Sequence, residues 1–310
     1  YGSIVITFTF GSIIHITIEK MFQATGNMII PMFLQGIGAI INIILDPILI
    51  FGINGYFEMG VAGAAIATII GQMTACLLAI ILFIKTSNLK ISFKNFKLNK
   101  QTIIKIYSIG IPSGIMQGLP SLLVSLLNGI LATVSQSAIA FFGVYYKLQS
   151  FIYMPANGLI QGMRPLISYN FGANHLNRVK EIIKVSIICN GIILSLGTVL
   201  FFVFPEPILS WFSATDELLK IGISGLRIIS FSFIVSTIGV VISGAFEALG
   251  NGRNSLTISL LRQFIITLPL SYVLLQLVGL NGVWAIFVIA ETIASIIAWL
   301  LLKKEFKSYQ

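Results

Sequence analysis

Long apolar segments separated by short polar connections recur along the whole chain. Each segment is long enough to cross about 30 Å of hydrocarbon as a helix. The segments cover residues 3–18, 28–51, 60–84, 104–133, 137–163, 182–204, 218–245, 254–276 and 282–302. The pattern predicts about nine transmembrane helices, and therefore an all-α, polytopic membrane protein.

The composition agrees with this pattern and excludes a soluble protein. Of the 310 residues, 56% are hydrophobic and 9% are charged, whereas soluble domains carry roughly 25% charged residues. The net charge of +9 does not indicate a nucleic-acid partner, because Lys-rich cytoplasmic connections produce it in membrane proteins. Cys76 and Cys189 lie in apolar runs without a CxxC pattern, which argues against a disulfide framework or a structural zinc site.

Basic connections between the segments alternate with connections that contain no basic residue. Residues 85–105 hold six lysines and no acidic residue, and the C-terminal tail holds three more lysines. The intervening connections, at 52–59, 134–136, 205–217 and 277–281, contain no lysine or arginine. The positive-inside rule therefore predicts cytoplasmic basic connections, a cytoplasmic C-terminus and a multi-pass protein of the cell membrane.

Two short motifs recur in the same order in the two halves of the chain. FQATGN at 22–27 resembles FEALGN at 246–251, and GVAG at 60–63 resembles GLNG at 279–282. Both hexapeptides fall on the predicted cytoplasmic side, which indicates parallel repeats related by an axis along the membrane normal. The second copy has three helices before the helix that ends in its hexapeptide, whereas the first copy has none.

This difference predicts a protein of six plus six helices from which three N-terminal helices are missing. We expect residues 1–86 to be the last three helices of an N-terminal lobe. Residues 87–103 are then a basic cytoplasmic linker, and residues 104–305 are a complete six-helix C-terminal lobe.

Several motifs resemble the multidrug and toxic compound extrusion (MATE) family. They are FQATGN at 22–27, Pro31-Met32, NIILDP at 42–47 and GVAGAAIAT at 60–68, with further matches between Pro155 and Ala173. The sequence is most similar to the bacterial branch that includes MepA-like and DinF-like proteins. The resemblance implies two six-helix lobes around a V-shaped cleft, and antiport of drugs or organic cations against Na+ or H+.

The resemblance also implies a coupling-ion site in the N-terminal lobe, where Asn42, Asp46 and Thr68 match family ligands. A further Asp, on the family's first helix, would belong to the missing segment. Asp46 is the only Asp in a predicted span, and an ionisable group in hydrocarbon is a functional candidate by default. Asn42 lies one turn earlier, on the same face. A structural Asp that bonds to neighbouring hydroxyls and amides is the alternative.

Residues of the C-terminal lobe give a weaker indication of a substrate cleft. Another part of the family has a Glu eight residues after a Pro, but that position, counted from Pro112, is Pro120. Polar and aromatic side chains could still hold organic cations through cation–π attraction, or could serve only helix packing. The cleft candidates are Gln117, Asn128, Tyr145, Lys147, Tyr153, Asn157 and Gln161. Lys147 lies near mid-membrane. We expect Glu291 to pair within its own lobe and Arg262 to reach polar surroundings near a helix end.

Other functions are less consistent with the sequence. A lipid-linked oligosaccharide flippase of the same superfamily is the main alternative, since it would prefer a strongly cationic cleft. An enzyme is not expected, because the histidines are isolated and the carboxylates scattered, and a channel would need a filter-like segment. We expect a monomer in the bilayer that binds small organic cations and uses no cofactor beyond Na+ or H+.

Overall fold

The computed structural model describes residues 1–52, 58–86, 97–212 and 215–309. Within these ranges all regular structure is helical. The chain divides into two compact units, Tyr1–Lys97 and Leu98–Gln310. The division falls inside the predicted linker at 87–103, although residues 87–96 lie outside the described ranges. The predicted lobe boundaries stay a prediction.

The first unit contains four helices. They are α1 (Gly2–Thr7), α2 (Thr9–Ala24), α3 (Ile29–Phe51) and α4 (Gly60–Thr86). Its small core lies where α2, α3 and α4 meet, around fully buried Leu34 and an edge-to-face contact of Phe22 with Phe83 at 5.8 Å between ring centroids.

The second unit contains eight helices arranged around a central one. They are α5 (Lys100–Leu131), α6 (Gln136–Gly172), α7 (Leu176–Val203), α8 (Pro205–Ser210), α9 (Asp216–Ala248), α10 (Gly252–Leu260), α11 (Thr267–Val278) and α12 (Leu280–Ser308). A π-helical turn, Leu261–Ile265, joins α10 and α11 into one long helical stretch. Buried α9 packs against α6, α7 and α12.

Small residues let α9 occupy this central position, as is common where membrane helices pack closely. Gly225, for example, leaves room for the Phe141 ring, whose nearest atom would lie 2.5 Å from a Cβ atom at this position, and for the indole Nε1 atom of Trp284, at 3.3 Å. The indole packs edge-to-face on Phe141 at 5.0 Å between centroids. These rings belong to the core of the second unit.

The two related hexapeptides form the same turn in the two units. Gly26 and Gly250 adopt positive φ angles of 84° and 81°, and the following amide donates to the carbonyl five residues earlier, at 3.0 Å from Asn27 and 2.8 Å from Asn251. This is the Schellman ending of a helix, which favours Gly because its left-handed φ is strained for other residues. The asparagine side chains then cap the next helix, accepting from the amides of Ile30 and Asn254. The local repeat read from the sequence is therefore also a structural one.

The predicted fold class, an all-α polytopic membrane protein, is confirmed, and the count of about nine spans is approximate. Seven helical stretches in the described ranges are long and apolar enough to cross a membrane. The predicted span 3–18 is wrong as a single helix, because the helix is interrupted at Phe8 and α2 continues to Ala24. The predicted end of the fifth span at 163 is also wrong, since α6 continues through Pro165 to Gly172.

Candidate functional site

A stripe of small residues on α4 brings α3 and α4 into close contact. The stripe consists of Gly63, Ala67, Gly71 and Ala75, four residues apart on one helix face. A Cβ atom at Gly71 would lie 2.6 Å from the carbonyl oxygen of Gly38 and 3.4 Å from Cβ of Asn42. Only glycine permits this approach without a shift of the backbone. The close packing sets the distance between the polar side chains of the two helices.

Asn42, Asp46 and Thr68, which the sequence predicts as coupling-ion ligands, form one hydrogen-bonded cluster. The Asn42 Nδ2 atom donates to Asp46 Oδ1 at 3.2 Å and to Thr68 Oγ1 at 3.5 Å. The Thr68 hydroxyl donates to the Ala64 carbonyl at 2.9 Å and also contacts the Tyr1 hydroxyl at 3.3 Å. All three predicted residues are half-buried within otherwise apolar helices.

This cluster presents oxygen atoms suited to a small cation or a proton. Both amide hydrogens of Asn42 point to its two partners, so its amide oxygen is available to a ligand. Pro47 has no amide hydrogen, which leaves the Ile43 carbonyl without its usual helical donor beside the Asp46 carboxylate. Carboxylate, amide, hydroxyl and freed backbone oxygens are typical ligands for Na+ inside membrane transporters.

The equivalent place in the second unit is apolar. The repeat matches Asn42, Asp46 and Thr68 to Ile266, Leu270 and Phe287. Ile266 is buried, and Phe287 packs beside it against Ile286 and Ala290. The polar cluster is therefore a property of one repeat, which favours a dedicated site over a scaffold shared by both.

The predicted cleft residues of the second unit separate into two groups. Gln117, Asn157 and Gln161 line one polar cavity of about 490 Å³ between α5, α6, α9 and the stretch of α10 with its π-helical turn. The cavity also contains the ion pair of Arg164 with Glu247, at 2.9 Å.

The other predicted cleft residues do not line this cavity. Tyr145 is 1% exposed in the aromatic core, at 5.9 Å from the Phe287 ring. Tyr153 hydrogen-bonds to Ser236 at 2.6 Å. The Asn128 side chain has its oxygen buried, and Lys147 is exposed on α6 and makes no ion pair with a described residue.

Two charged residues outside the predicted cleft set form a buried contact. Arg262 pairs with Glu291 at 2.6 Å, and both side chains are 13% exposed. The predicted pairing of Glu291 within its own lobe is confirmed. Arg262 reaches polar surroundings, as predicted, because it also lines the polar cavity. Its predicted position near a helix end is wrong, because the residue lies in the π-helical turn inside a continuous helical stretch. There the Thr267 hydroxyl donates to the Arg262 carbonyl at 2.5 Å.

Glu19 is a second buried carboxylate that the sequence analysis missed. The residue is 4% exposed and accepts hydrogen bonds from the Gln23 and Gln35 side chains, each at 3.0 Å. His15, one turn earlier, is also buried, and its Nε2 atom has no hydrogen-bond partner in the described part of the chain. The spacing of His15, Glu19 and Gln23 by four residues was a signal for a polar helix face.

A cluster of polar side chains between apolar helices, together with an internal repeat, is typical of secondary transporters. Comparison with known proteins agrees and gives the family. The MatE family model matches residues 112–273, just over half of the chain. The chain belongs to the MatE family.

Curated relatives extend the similarity beyond this region. "Multidrug export protein MepA" of Staphylococcus aureus (strain bovine RF122 / ET3-1) is 32% identical over 290 residues, covering 93% of this chain and 63% of the relative. The MepA protein of Staphylococcus haemolyticus (strain JCSC1435) is 35% identical over 289 residues, covering 92% of this chain and 62% of the relative. The chain thus spans less than two thirds of the length of these relatives.

A solved structure shows the same fold. An outward-facing multidrug resistance MATE family transporter of the MOP superfamily superposes with a TM-score of 0.94 at 20% identity, covering 100% of this chain and 69% of the other.

Proposed function

We propose that the protein takes part in the export of drugs or organic cations by antiport against Na+ or H+, and that Asn42, Asp46 and Thr68 bind the coupling ion. The hydrogen-bonded cluster of these residues, present in one repeat and replaced by apolar side chains in the other, is the observation on which this proposal depends. The relatives described as multidrug export proteins support the substrate class. The same relatives do not favour the oligosaccharide flippase.

In this mechanism Asp46 alternates between an ion-bound and an ion-free state. An ion can drive export only if it binds the two transport conformations with different affinity, because a ligand shifts an equilibrium by its differential affinity alone. Binding of ion and substrate must then weaken each other by the same factor. The Asp46 carboxylate supplies the charge that distinguishes an ion-free from an ion-bound site, and Asn42 and Thr68 supply neutral oxygens.

The polar cavity of the second unit is the candidate place for substrate contact. Gln117, Asn157 and Gln161 could hydrogen-bond polar groups of a substrate there, and Glu247 adds a carboxylate beside Arg164. We place the protein in the cell membrane as a monomer, with a cytoplasmic C-terminus as the distribution of lysines predicts.

Transport by purified protein in proteoliposomes tests the proposal. A fluorescent organic cation should move against its gradient when either a Na+ gradient at equal pH or a pH gradient without Na+ is imposed, and the effective gradient identifies the ion. Asp46→Asn should abolish this movement, whereas Leu270→Ala, at the matched position of the other repeat, should leave it unchanged. Dye movement that is independent of both gradients, or unchanged in Asp46→Asn, would contradict the proposal.

A further inference from the structure

A groove runs along the outside of the second unit between α7 and α12. Both helices pack on α9, whose Ile238 forms part of the groove floor. The groove has a volume of about 820 Å³, and its lining includes none of the predicted site residues.

Four lysines surround one end of this groove. Lys180 and Lys184 lie in the first turns of α7, and Lys303 and Lys307 lie in the last turns of α12. None of the four forms an ion pair with an acidic residue in the described ranges. Their four charges thus face one another across the groove without an anion from the protein, an arrangement that favours binding of an external anion.

The rest of the groove is apolar. Below the lysines its walls consist of isoleucines of α7 and of Trp299 and Leu302 of α12. Trp299 lies under the Lys303 ammonium group, whose nitrogen is 5.8 Å from the indole ring, and Lys180 lies 5.3 Å from the Phe306 ring. From Lys180 to Ile188 the groove follows eight residues of α7, or about 12 Å. Lysines and a tryptophan above an apolar slot are typical of the level where lipid headgroups meet acyl chains.

We propose that this groove binds one anionic phospholipid, with its phosphate among the four lysines and an acyl chain along Ile188 and Trp299. Basic pockets between membrane helices on the cytoplasmic side hold anionic headgroups for the same electrostatic reason. A neutral phospholipid leaves the converging positive charge uncompensated. An organic cation is repelled by it. A small phosphate ion uses the lysines but not the apolar slot.

Native mass spectrometry of the delipidated protein in detergent tests this site. Titration with dioleoyl phosphatidylglycerol should give one saturable adduct, and dioleoyl phosphatidylcholine should bind at least tenfold more weakly. Replacing Lys184 and Lys303 together by glutamine should weaken the phosphatidylglycerol adduct by roughly 10- to 30-fold. The matched variant, Lys105→Gln with Lys304→Gln, removes two exposed lysines that do not line the groove and should bind as the unmodified protein does.

Two further measurements separate the groove from a general charge effect. Ile188→Trp fills the slot without changing the charge and should weaken the phosphatidylglycerol adduct, and glycerol phosphate should not compete with the lipid. If the double lysine variant does not fold, Lys307→Gln at the exposed end of α12 gives the charge dependence. Equal binding of the two lipids, equal loss in the groove and control variants, or full competition by glycerol phosphate would each overturn the proposal.

Discussion

The Asn42 side chain donates a hydrogen bond to Asp46 at 3.2 Å, one turn away on the same helix. The same amide nitrogen reaches across to Thr68 on α4 at 3.5 Å. One neutral side chain therefore orients the carboxylate and links the two helices. This arrangement predicts unequal roles for the three residues: Asp46 is needed for its charge, and the other two for affinity.

Neutralising Asp46 should remove ion dependence without unfolding the protein. Asp46→Asn keeps the shape of the side chain and its contact with Asn42, but it has no exchangeable charge. Asn42→Ala and Thr68→Ala each remove one neutral contact, which is worth about 0.5–1.5 kcal/mol. We expect these two variants to weaken ion affinity by roughly three- to tenfold. The rise in melting temperature on adding the ion to each purified variant measures this affinity. An Asp46→Asn protein that is still stabilised by the ion would contradict the assignment.

The close approach of α3 and α4 predicts a specific sensitivity at Gly71. Gly71→Ala places a Cβ atom 2.6 Å from the Gly38 carbonyl oxygen, so the two helices must separate. Such overpacking costs about 1–3 kcal/mol and should also weaken ion binding, since Asn42 lies beside this contact. The melting temperature and ion affinity of the purified protein measure both effects.

Gly36→Ala is the matched control for this variant. It makes the same chemical change on α3, where a Cβ atom meets nothing within 4 Å. Because alanine is favoured over glycine inside a helix by roughly 0.5–1 kcal/mol, this variant should be neutral or slightly stabilising. Equal destabilisation by the two substitutions would show that the α3–α4 contact is not the cause.

Hydropathy located the first unit's long helices well, and the spacing of residues located the cluster. The predicted spans 28–51 and 60–84 lie close to α3, Ile29–Phe51, and α4, Gly60–Thr86. Glycines mark the ends of these apolar runs, and positive φ at Gly52 and Gly60 explains the breaks. Asn42 and Asp46 share a helix face by spacing alone, whereas the addition of Thr68 came from the family resemblance.

Contacts between residues far apart in the sequence could not be predicted from hydropathy or residue spacing. Arg262 and Glu291 are 29 residues apart and meet only because α12 packs against the π-helical turn. Tyr145 is an aromatic residue of the kind expected in a cleft for organic cations, but the packing of α6 turns its ring into the core. Glu19 was missed because hydropathy ends the apolar run at residue 18, whereas α2 continues for one and a half turns and buries the carboxylate.

Replacing only one member of the buried pair of Arg262 and Glu291 should strongly lower the stability of the protein. Glu291→Ala leaves the buried guanidinium group without its partner, and the loss of a single member of such a pair costs about 3–5 kcal/mol. Replacing both residues, by Arg262→Met with Glu291→Leu, removes both charges and should recover most of the lost stability. Thermal unfolding of the two single variants and the double variant measures the coupling. Additive losses in the double variant would show that the two residues act independently.

The distribution of lysines predicts an orientation that two exposed positions can report. Ala173 lies in the short connection before α7, whose first turns hold Arg178, Lys180 and Lys184, and Trp211 follows α8 in a connection without lysine or arginine. We expect Ala173 in the cytoplasm and Trp211 outside. In a background with Cys76→Ala and Cys189→Ala, a cysteine introduced by Trp211→Cys should react with an impermeant maleimide in intact cells. A cysteine introduced by Ala173→Cys should react only after the membrane is permeabilised. The reverse labelling would invert the topology, and it would also move the lysine groove to the outer leaflet.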